Sequence, residues 1–379
     1  MNYLKTLISI PLTFLLCFVC GVYSITFLLL YPLKKFFPNI YFALDSIAVK
    51  SLVNAISSAF LLGDCDVHEF GEDLTEFEKE NCLLLINHQS TVDVPLIMHI
   101  LNSRKYLTFN SSWMLDDMFK YAPFGWVSLV RNDIFVKQGK ETRNQQLSFL
   151  PEKFKYSFTK LNRKWLIIFP EGGFFYKRKE SNKAYAIKNG YPDLDYTTLP
   201  RLGAIEAALQ VLSDNRNLVN SEISESFSRN KISEKDQLKY IIDITIAYRD
   251  IDNPPSFVSM MVGSHESHPV YLYYRVYDIA KIPVSSSYDL QTWLYQIYKE
   301  KNDRLALYYS TGKFQHLKSD IKEIPVHRLM HRTKPIYIGL DSILFSFLVM
   351  SLWTFLWVYC LPRLSINGFL NLAKILSFR

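Results

Sequence analysis

Apolar residues are concentrated in two long runs of the sequence. Thr6–Leu33 contains no charged residue over 28 positions, and Ser342–Leu361 contains none over 20 positions. A helix of about 20 apolar residues is long enough to cross the hydrocarbon core of a bilayer. The two runs therefore predict an N-terminal and a C-terminal transmembrane helix, and we expect an integral membrane protein.

A third apolar segment, residues 40–63, is interrupted by Asp45 and Lys50. Isolated charges are costly inside a bilayer, so this segment predicts an amphipathic, interfacial helix that lies on the membrane or packs on the protein, rather than a third span. The stretch 213–239 is rich in Ser, Asn and charged residues, which predicts a mobile surface insertion. These patterns divide the chain into an N-terminal anchor (1–36), an interfacial segment (37–66), a central domain (67–335) and a C-terminal helix with its tail (336–379).

Two kinds of pattern alternate within the central domain. Short apolar runs, rich in β-branched and aromatic residues, predict buried strands at Leu83–Ile86, Trp165–Phe169, Ile241–Tyr248 and Val270–Val276. Helical spacing predicts helices at Lys140–Leu161 and Gly203–Leu212. Strands that alternate with helices are typical of an α/β fold, and we expect that class here.

Composition and charge narrow the class of protein further. The 379 residues are 49% hydrophobic and 21% charged, which excludes a disordered chain. The net charge of +7 is modest, and it suits an anionic membrane surface or a phosphate-bearing ligand as well as it suits nucleic acid. The long apolar runs favour the membrane, and we expect no nucleic-acid partner. The five cysteines are scattered along the chain, which argues against a disulfide scaffold and for a reducing compartment.

His88 and Asp93 follow directly on the predicted strand Leu83–Ile86. On one continuous helix, side chains five residues apart differ by about 140° in direction and do not meet. At a strand-to-helix turn they can meet, because His88 ends the strand and Asp93 begins the helix, just before Pro95. A carboxylate bound to one imidazole nitrogen lets the other nitrogen act as a general base.

Two other interpretations of this spacing remain open. His88 taken alone is compatible with a purely structural histidine. His68 and Asp73 have the same spacing, but they lie in the acidic stretch Asp64–Glu80 with no predicted strand, so we expect them on a solvated surface.

A second motif, Phe169–Gly173 (FPEGG), ends the predicted strand that begins at Trp165. Glycines after a strand let the backbone approach a ligand closely, and Glu171 is expected at the carboxyl end of the strand, where α/β sheets place their sites. A simple turn is the alternative, because this composition is also good turn chemistry. The basic run Lys177–Lys179 follows at once and is either a solvated surface or a set of phosphate contacts.

Together the two motifs resemble those of the glycerolipid acyltransferases, whose sequence blocks include H-x4-D and F-P-E-G-[ST]. Gly125–Arg131 is similar to the second block of that family and Leu199–Pro200 to the fourth. The resemblance covers roughly residues 60 to 315 and is closest to the members that acylate lysophosphatidylglycerol. Gly173 departs from the Ser or Thr that is usual in the third block.

The resemblance implies a glycerol-3-phosphate acyltransferase-like mixed sheet flanked by helices, and a reaction. His88 would deprotonate the free hydroxyl of a lysophospholipid, which attacks the thioester of acyl-CoA, while Asp93 orients the imidazole. Transfer is expected to be direct, because no nucleophile elbow is present, with backbone N–H groups near His88 or Gly172 stabilising the oxyanion. The remaining candidate residues would bind substrate: Glu171, Gly172, Gly173 and Arg131 for the acceptor, and Lys177, Arg178 and Arg201 for phosphates of either substrate.

The partners implied are acyl-CoA as co-substrate, a lysophospholipid and the phospholipid bilayer, with no catalytic metal and no other cofactor; the oligomeric state stays open. The lysophospholipid is expected to be of the lysophosphatidylglycerol or lysophosphatidylethanolamine type. The open alternatives are acylation of 1-acylglycerol 3-phosphate or glycerol 3-phosphate, CoA-independent transacylation, lipid or thioester hydrolysis, and a non-catalytic membrane scaffold.

A multi-pass protein of the endoplasmic reticulum membrane is expected. Its catalytic face would be cytosolic, because Lys34 and Lys35 follow the first span and only Lys5 precedes it.

Overall fold

A computed structural model describes residues 3–62, 65–104, 107–139, 143–213, 232–261, 269–283 and 286–336, and isolated positions between 344 and 359. The strands are β1 (Val67–Glu72), β2 (Cys82–Ile86), β3 (Ser111–Asp116), β4 (Ile134–Val136), β5 (Trp165–Ile168), β6 (Tyr240–Ala247), β7 (Val270–Asp278) and β8 (Leu329–Pro335). The helices are α1 (Tyr3–Leu29), α2 (Tyr31–Phe36), α3 (Pro38–Leu62), α4 (Asp93–Ser103), α5 (Pro123–Val130), α6 (Arg143–Thr159), α7 (Phe175–Asn189), α8 (Gly203–Leu212), α9 (Phe257–Met261), α10 (Ser287–Thr311) and α11 (Lys318–Glu323). The predicted α/β class is confirmed, as are the four predicted strands and both predicted helices.

The eight strands form one mixed sheet in the order β4-β3-β5-β2-β6-β7-β1-β8. The strands from β4 to β6 are parallel to their neighbours, and β6 pairs antiparallel with β7. The carboxyl ends of β2, β5 and β6 therefore meet at one edge of the sheet. We call this edge the reactive edge, because both sequence motifs follow strands that end there.

Side chains of the central strand alternate between two cores. Leu84 and Ile86 pack with α4 on one face of the sheet, and Leu83 and Leu85 pack with α6, α8 and α10 on the other. All four side chains are fully buried, as expected for a strand covered on both faces. The sheet is thus a rigid support for the loops at its reactive edge.

The N-terminal helices pack on the central domain through one face each. Tyr23 and Phe27 of α1 form a core with Val49 and Leu52 of α3, and this core touches α4 and α5. The opposite faces carry exposed apolar side chains: Phe14, Phe18, Ile25, Leu28, Ile40 and Ile47. Among the described residues, one helical segment is long and apolar enough to cross a membrane, Pro38–Ser57, and half of it is buried inside the protein.

The prediction of a solvated surface is wrong for His68, whereas Asp73 is half-buried and accepts from the N–H and hydroxyl of the exposed Thr75. His68 lies in β1, its ring stacks on Tyr271 of the neighbouring strand β7, and its Nδ1 is buried. The acidic residues of this strand made it look like a solvated segment. In the fold, Glu69 pairs with the buried Arg104, and Glu72 accepts from the backbone N–H of Val276.

Part of the predicted insertion is also ordered. Residues 232–239 pack on the domain: Leu238 is buried, its N–H donates to Leu212, and Asn81 donates to the carbonyls of Lys235 and Gln237. Residues 214–231, and nearly all of the predicted C-terminal span Ser342–Leu361, lie outside the described residues.

Candidate active site

Asn87 fixes the loop that follows β2. Its side-chain amide donates to the carbonyl of Ile246 and accepts from the N–H of the same residue, at 3.0 and 2.7 Å. The side chain thus takes the place of a strand backbone and extends the pairing of β2 with β6 by one step. This anchors the residue immediately before His88 at the reactive edge.

His88 and Asp93 meet at the turn, as the sequence predicts. The imidazole Nδ1 lies 2.8 Å from the Oδ2 atom of Asp93, at the start of α4. The imidazole ring packs between Phe169 and Phe174, with ring centroids 4.4 and 4.3 Å away, and the side chain remains 16% exposed. Nδ1 is held by the carboxylate, so Nε2 is the nitrogen available to take a proton from a substrate.

The Asp93 carboxylate is fully buried and has four donors. Its Oδ2 atom accepts from His88 and from the N–H groups of Gln89 and Ser90, and its Oδ1 atom accepts from the hydroxyl of Tyr248 at 2.6 Å. Burial and the neighbouring carboxylate raise the pKa of Tyr248, so that hydroxyl remains a donor. Such a set of donors holds the carboxylate oriented towards His88.

Glu171 stands at the end of β5, where it joins the two sequence motifs. Its Oε1 atom accepts from the backbone N–H of His88, and its Oε2 atom accepts from the N–H and hydroxyl of Thr198. The side chain is only 2% exposed, so the structure gives Glu171 a positioning contact with His88. Its predicted contact with the acceptor stays a prediction.

The ionisation of Glu171 yields a test of this arrangement. Burial raises the pKa of the carboxyl from 4.5 to about 7, against the lowering effect of Thr198 and His88. A carboxyl with a raised pKa stabilises the fold at low pH and loses that contribution as the pH rises from about 4.5 to about 7, a change of about 3 kcal/mol. We therefore expect the melting temperature of the wild type to fall relative to that of Glu171→Gln between pH 5 and pH 8, measured by thermal unfolding in detergent. A constant difference between the two proteins would contradict the assignment.

Gly172 and Gly173 bring two guanidinium groups over the turn. Gly172 has a φ of +68°, and an added Cβ would lie 2.8 Å from Cζ of Arg201. A Cβ on Gly173 would lie 2.5 Å from Nε of Arg178, which also donates to Gln138. The structure therefore brings Arg178 and Arg201 to the glycines beside Glu171. Two guanidinium groups are suited to bind phosphate oxygens there.

Lys177 and Arg131 differ in their surroundings. Lys177 is exposed, with its Nζ atom 5.6 Å from the Phe174 ring that covers His88. Arg131 is buried, pairs with Asp45 of α3 at 2.6 Å and donates to the carbonyl of Phe109. The prediction that Arg131 binds the acceptor is replaced by a structural role, because its guanidinium is committed to a buried carboxylate.

Several backbone N–H groups near His88 and Gly172 already have acceptors. The N–H of His88 donates to Glu171, those of Gln89 and Ser90 donate to Asp93, and that of Gly172 donates to Phe169. The predicted oxyanion site in this region stays a prediction.

Sequence reasoning missed a buried lysine beneath the site. Lys301 of α10 is fully buried, pairs with Asp243 of β6 at 2.8 Å and donates to the carbonyl of Ile244. Burial lowers the pKa of this ammonium group, whereas the charges of Asp243 and Glu171 raise it. The one signal in the sequence was Asp243 itself, a charged residue inside a β-branched strand that is buried on both faces.

The sequence is similar to that of known acyltransferases. The sequence matches the acyltransferase family over residues 68–209 and the acyltransferase C-terminus family over residues 259–339. It is 34% identical over 313 residues to acyl-CoA:lysophosphatidylglycerol acyltransferase 1 of Homo sapiens, a match that covers 82% of this chain and 80% of that protein. The corresponding protein of Mus musculus is 33% identical over 310 residues, with the same shares. The solved 1-acyl-sn-glycerophosphate acyltransferase PlsC of Thermotoga maritima is 15% identical with a TM-score of 0.42, covering 80% of this chain and 98% of that one. With His88 and Asp93 in contact at the head of the matched region, the chain belongs to the glycerolipid acyltransferase family and is an enzyme that transfers acyl groups.

Proposed function

We propose that this protein transfers a long-chain acyl group from acyl-CoA to the free hydroxyl of a lysophospholipid. The observation that carries the proposal is the contact between His88 Nδ1 and the buried Asp93, which leaves Nε2 of a partly exposed side chain as the nitrogen available to a substrate hydroxyl. The names of the relatives point to acceptors of the same class: the proteins of Homo sapiens and Mus musculus are lysophosphatidylglycerol acyltransferases.

The geometry supports direct transfer. Nε2 of His88 takes the proton from the acceptor hydroxyl as its oxygen attacks the thioester carbonyl, and Asp93 stabilises the imidazolium that forms. The tetrahedral intermediate then collapses, the C–S bond breaks, and the proton on His88 passes to the departing CoA thiolate. Arg178 and Arg201 are the cations that would hold substrate phosphates and offset the developing negative charge.

An exposed apolar surface on the N-terminal helices supports a lipid acceptor. The outward sides of α1 and α3 carry exposed apolar residues, and Met118, Phe124 and Trp126 continue this surface around α5. Lys34 and Lys35 lie in the last turn of α2, next to this surface, where they suit anionic headgroups. We propose a multi-pass protein of the endoplasmic reticulum membrane, with helices near both ends of the described chain in the bilayer and the reactive edge on the cytosolic side.

Orientation has a direct test in sealed microsomes. The sequence 214–231 is polar, so a protease added outside is expected to cut it without detergent if the domain is cytosolic. Protection of this segment until the membrane is opened would place the domain in the lumen.

Product analysis tests the reaction itself. Labelled stearoyl-CoA is offered to the full-length protein with a panel of lysophosphatidylglycerol, lysophosphatidylinositol, lysophosphatidylethanolamine, lysophosphatidylcholine, lysophosphatidate and glycerol 3-phosphate, and the products are identified by mass spectrometry. We expect a labelled diacyl phospholipid whose formation requires both substrates. Consumption of stearoyl-CoA without any acceptor would indicate a thioesterase, and preferred use of lysophosphatidate or glycerol 3-phosphate would favour the alternative acceptors.

A further inference from the structure

A cavity of about 320 Å³ opens near the reactive edge and is separate from the His88 and Asp93 pair. Its described lining residues are Arg249, Pro269, Tyr271, Tyr308, Tyr309 and Gly312. They come from the loop after β6, the start of β7 and the end of α10. This volume is at the lower end of the range for small-molecule sites in proteins, and it suits a group smaller than a whole lipid.

Strand pairing places the cavity close to His88. Ile86 of β2 pairs with Ile244 of β6, and Ala247 of β6 pairs with Tyr271 of β7, so the cavity begins two strands away from the one that carries His88. Strands lie about 4.8 Å apart, so this separation is roughly 10 Å. A group in the cavity and a hydroxyl at His88 can therefore belong to one small polar molecule.

Buried polar atoms without a full hydrogen bond lie between the cavity and the pair of His88 and Asp93. Gln89 directly follows His88, its side chain is only 2% exposed, and neither atom of its amide has a hydrogen-bond partner in the described part of the protein. The buried hydroxyl of Tyr309 lies beside this amide, close enough to interact with it, although neither group makes a hydrogen bond of full geometry in the described part of the protein. Buried polar groups of this kind are suited to bind a ligand that brings its own donors and acceptors.

The lining also indicates the charge of that ligand. Arg249 is exposed at the rim, and none of the six described lining residues is a carboxylate that could pair with an ammonium group. The adjacent Asp250 accepts from the backbone N–H groups of Asp252 and Asn253. Tyrosine hydroxyls, an amide and a guanidinium together suit hydroxyl groups and a phosphate.

We propose that this cavity binds the headgroup of the lysophospholipid acceptor and selects a headgroup with hydroxyl groups over one with an ammonium group. The proposal rests on the function proposed above and adds the residues that choose among acceptors. A headgroup is joined through one phosphate to the glycerol whose hydroxyl reacts, so it lies within roughly 10 Å of His88. The nucleotide of CoA is separated from the thioester by the long pantetheine arm and fits this distance less well.

Two substitutions in the full-length protein test the cavity. Tyr309→Phe removes only a hydroxyl that makes no hydrogen bond of full geometry with the described residues, so the fold should be kept. We expect it to lower kcat/KM about fivefold for lysophosphatidylglycerol and lysophosphatidylinositol, the value of one hydrogen bond, and to leave lysophosphatidate and the KM for stearoyl-CoA unchanged. Arg249→Gln should raise the ratio of kcat/KM for lysophosphatidylcholine to that for lysophosphatidylglycerol about two- to fivefold, because an exposed charge is partly screened. Tyr288→Phe, on the same helix and with a 73% exposed side chain, is the control.

Three results would overturn the proposal. Unchanged acceptor kinetics in both variants would mean that the headgroup does not contact the cavity, and a raised KM for stearoyl-CoA with unchanged acceptor kinetics would assign the cavity to the nucleotide of CoA. An equal loss with every acceptor, lysophosphatidate included, would indicate a general disturbance of the site. Failure of the proposed function is distinguishable, because it would appear in the wild type as the absence of transfer to any lysophospholipid.

Discussion

His88→Ala is expected to lower kcat about 10²- to 10⁴-fold while the protein remains folded and membrane-bound. The imidazole contacts Asp93 through Nδ1 and its side chain is partly exposed, so Nε2 is the nitrogen left to accept a proton. Removing it leaves the acceptor hydroxyl without a proton acceptor, and the loss should appear in kcat for every lysophospholipid. The rate of transfer from stearoyl-CoA, measured with purified protein in detergent or in liposomes, provides the number.

A matched histidine controls for general effects of the substitution. His327 is exposed in the loop before β8, and His327→Ala should leave both kcat and the melting temperature near their wild-type values. Near-normal turnover in His88→Ala would show that the base lies elsewhere, whatever the behaviour of the control.

Asp93→Asn is expected to lower kcat about 10³-fold with little loss of stability. The asparagine oxygen can replace Oδ2 and keep its three donors, while the hydroxyl of Tyr248 turns to accept from the new amide. The charge that stabilises the imidazolium formed during transfer is lost. The loss of kcat is measured by the same assay of transfer from stearoyl-CoA.

Asp93→Ala separates the charge of this residue from its hydrogen bonds. It should lose as much activity as Asp93→Asn, but it leaves four donors without an acceptor in a fully buried site, so the free energy of unfolding should fall by about 3 kcal/mol. Equal melting temperatures for the two variants would mean that the four donors do not depend on Asp93.

The sequence alone predicted those parts of the site that lie within a single turn of the chain. His88 and Asp93 meet because a strand ends and a helix begins between them, and Gly172 allows the left-handed backbone that its turn requires. Both features depend on residues within five positions, so local rules predicted them.

Contacts between distant segments could not be predicted in this way. Arg131 lies in a segment similar to a family block, yet its partner Asp45 is 86 residues earlier, in a helix that reads as a surface element. Lys301 is an ordinary charge on a long helix until the fold buries it against Asp243. β1 was missed because the partners of its buried acidic residues are distant in sequence. Glu69 pairs with Arg104, and Glu72 accepts from a backbone N–H of β7.

The ion pair between Asp45 and Arg131 links the activity of the enzyme to the lipid or detergent around its N-terminal helices. Arg131 and the neighbouring Arg163, which precedes β5, are both buried, and the carboxylate of Asp45 reaches Arg131 from an N-terminal helix. Removing the carboxylate that pairs with a buried guanidinium group is strongly destabilising, so a protein cut after residue 62 should not yield a stable water-soluble enzyme. A detergent or lipid that weakens the packing of α1 and α3 on the central domain would therefore disturb β5 and Glu171, which accepts from the backbone N–H of His88. We expect turnover at saturating substrate to depend on the thickness and composition of the surrounding lipid.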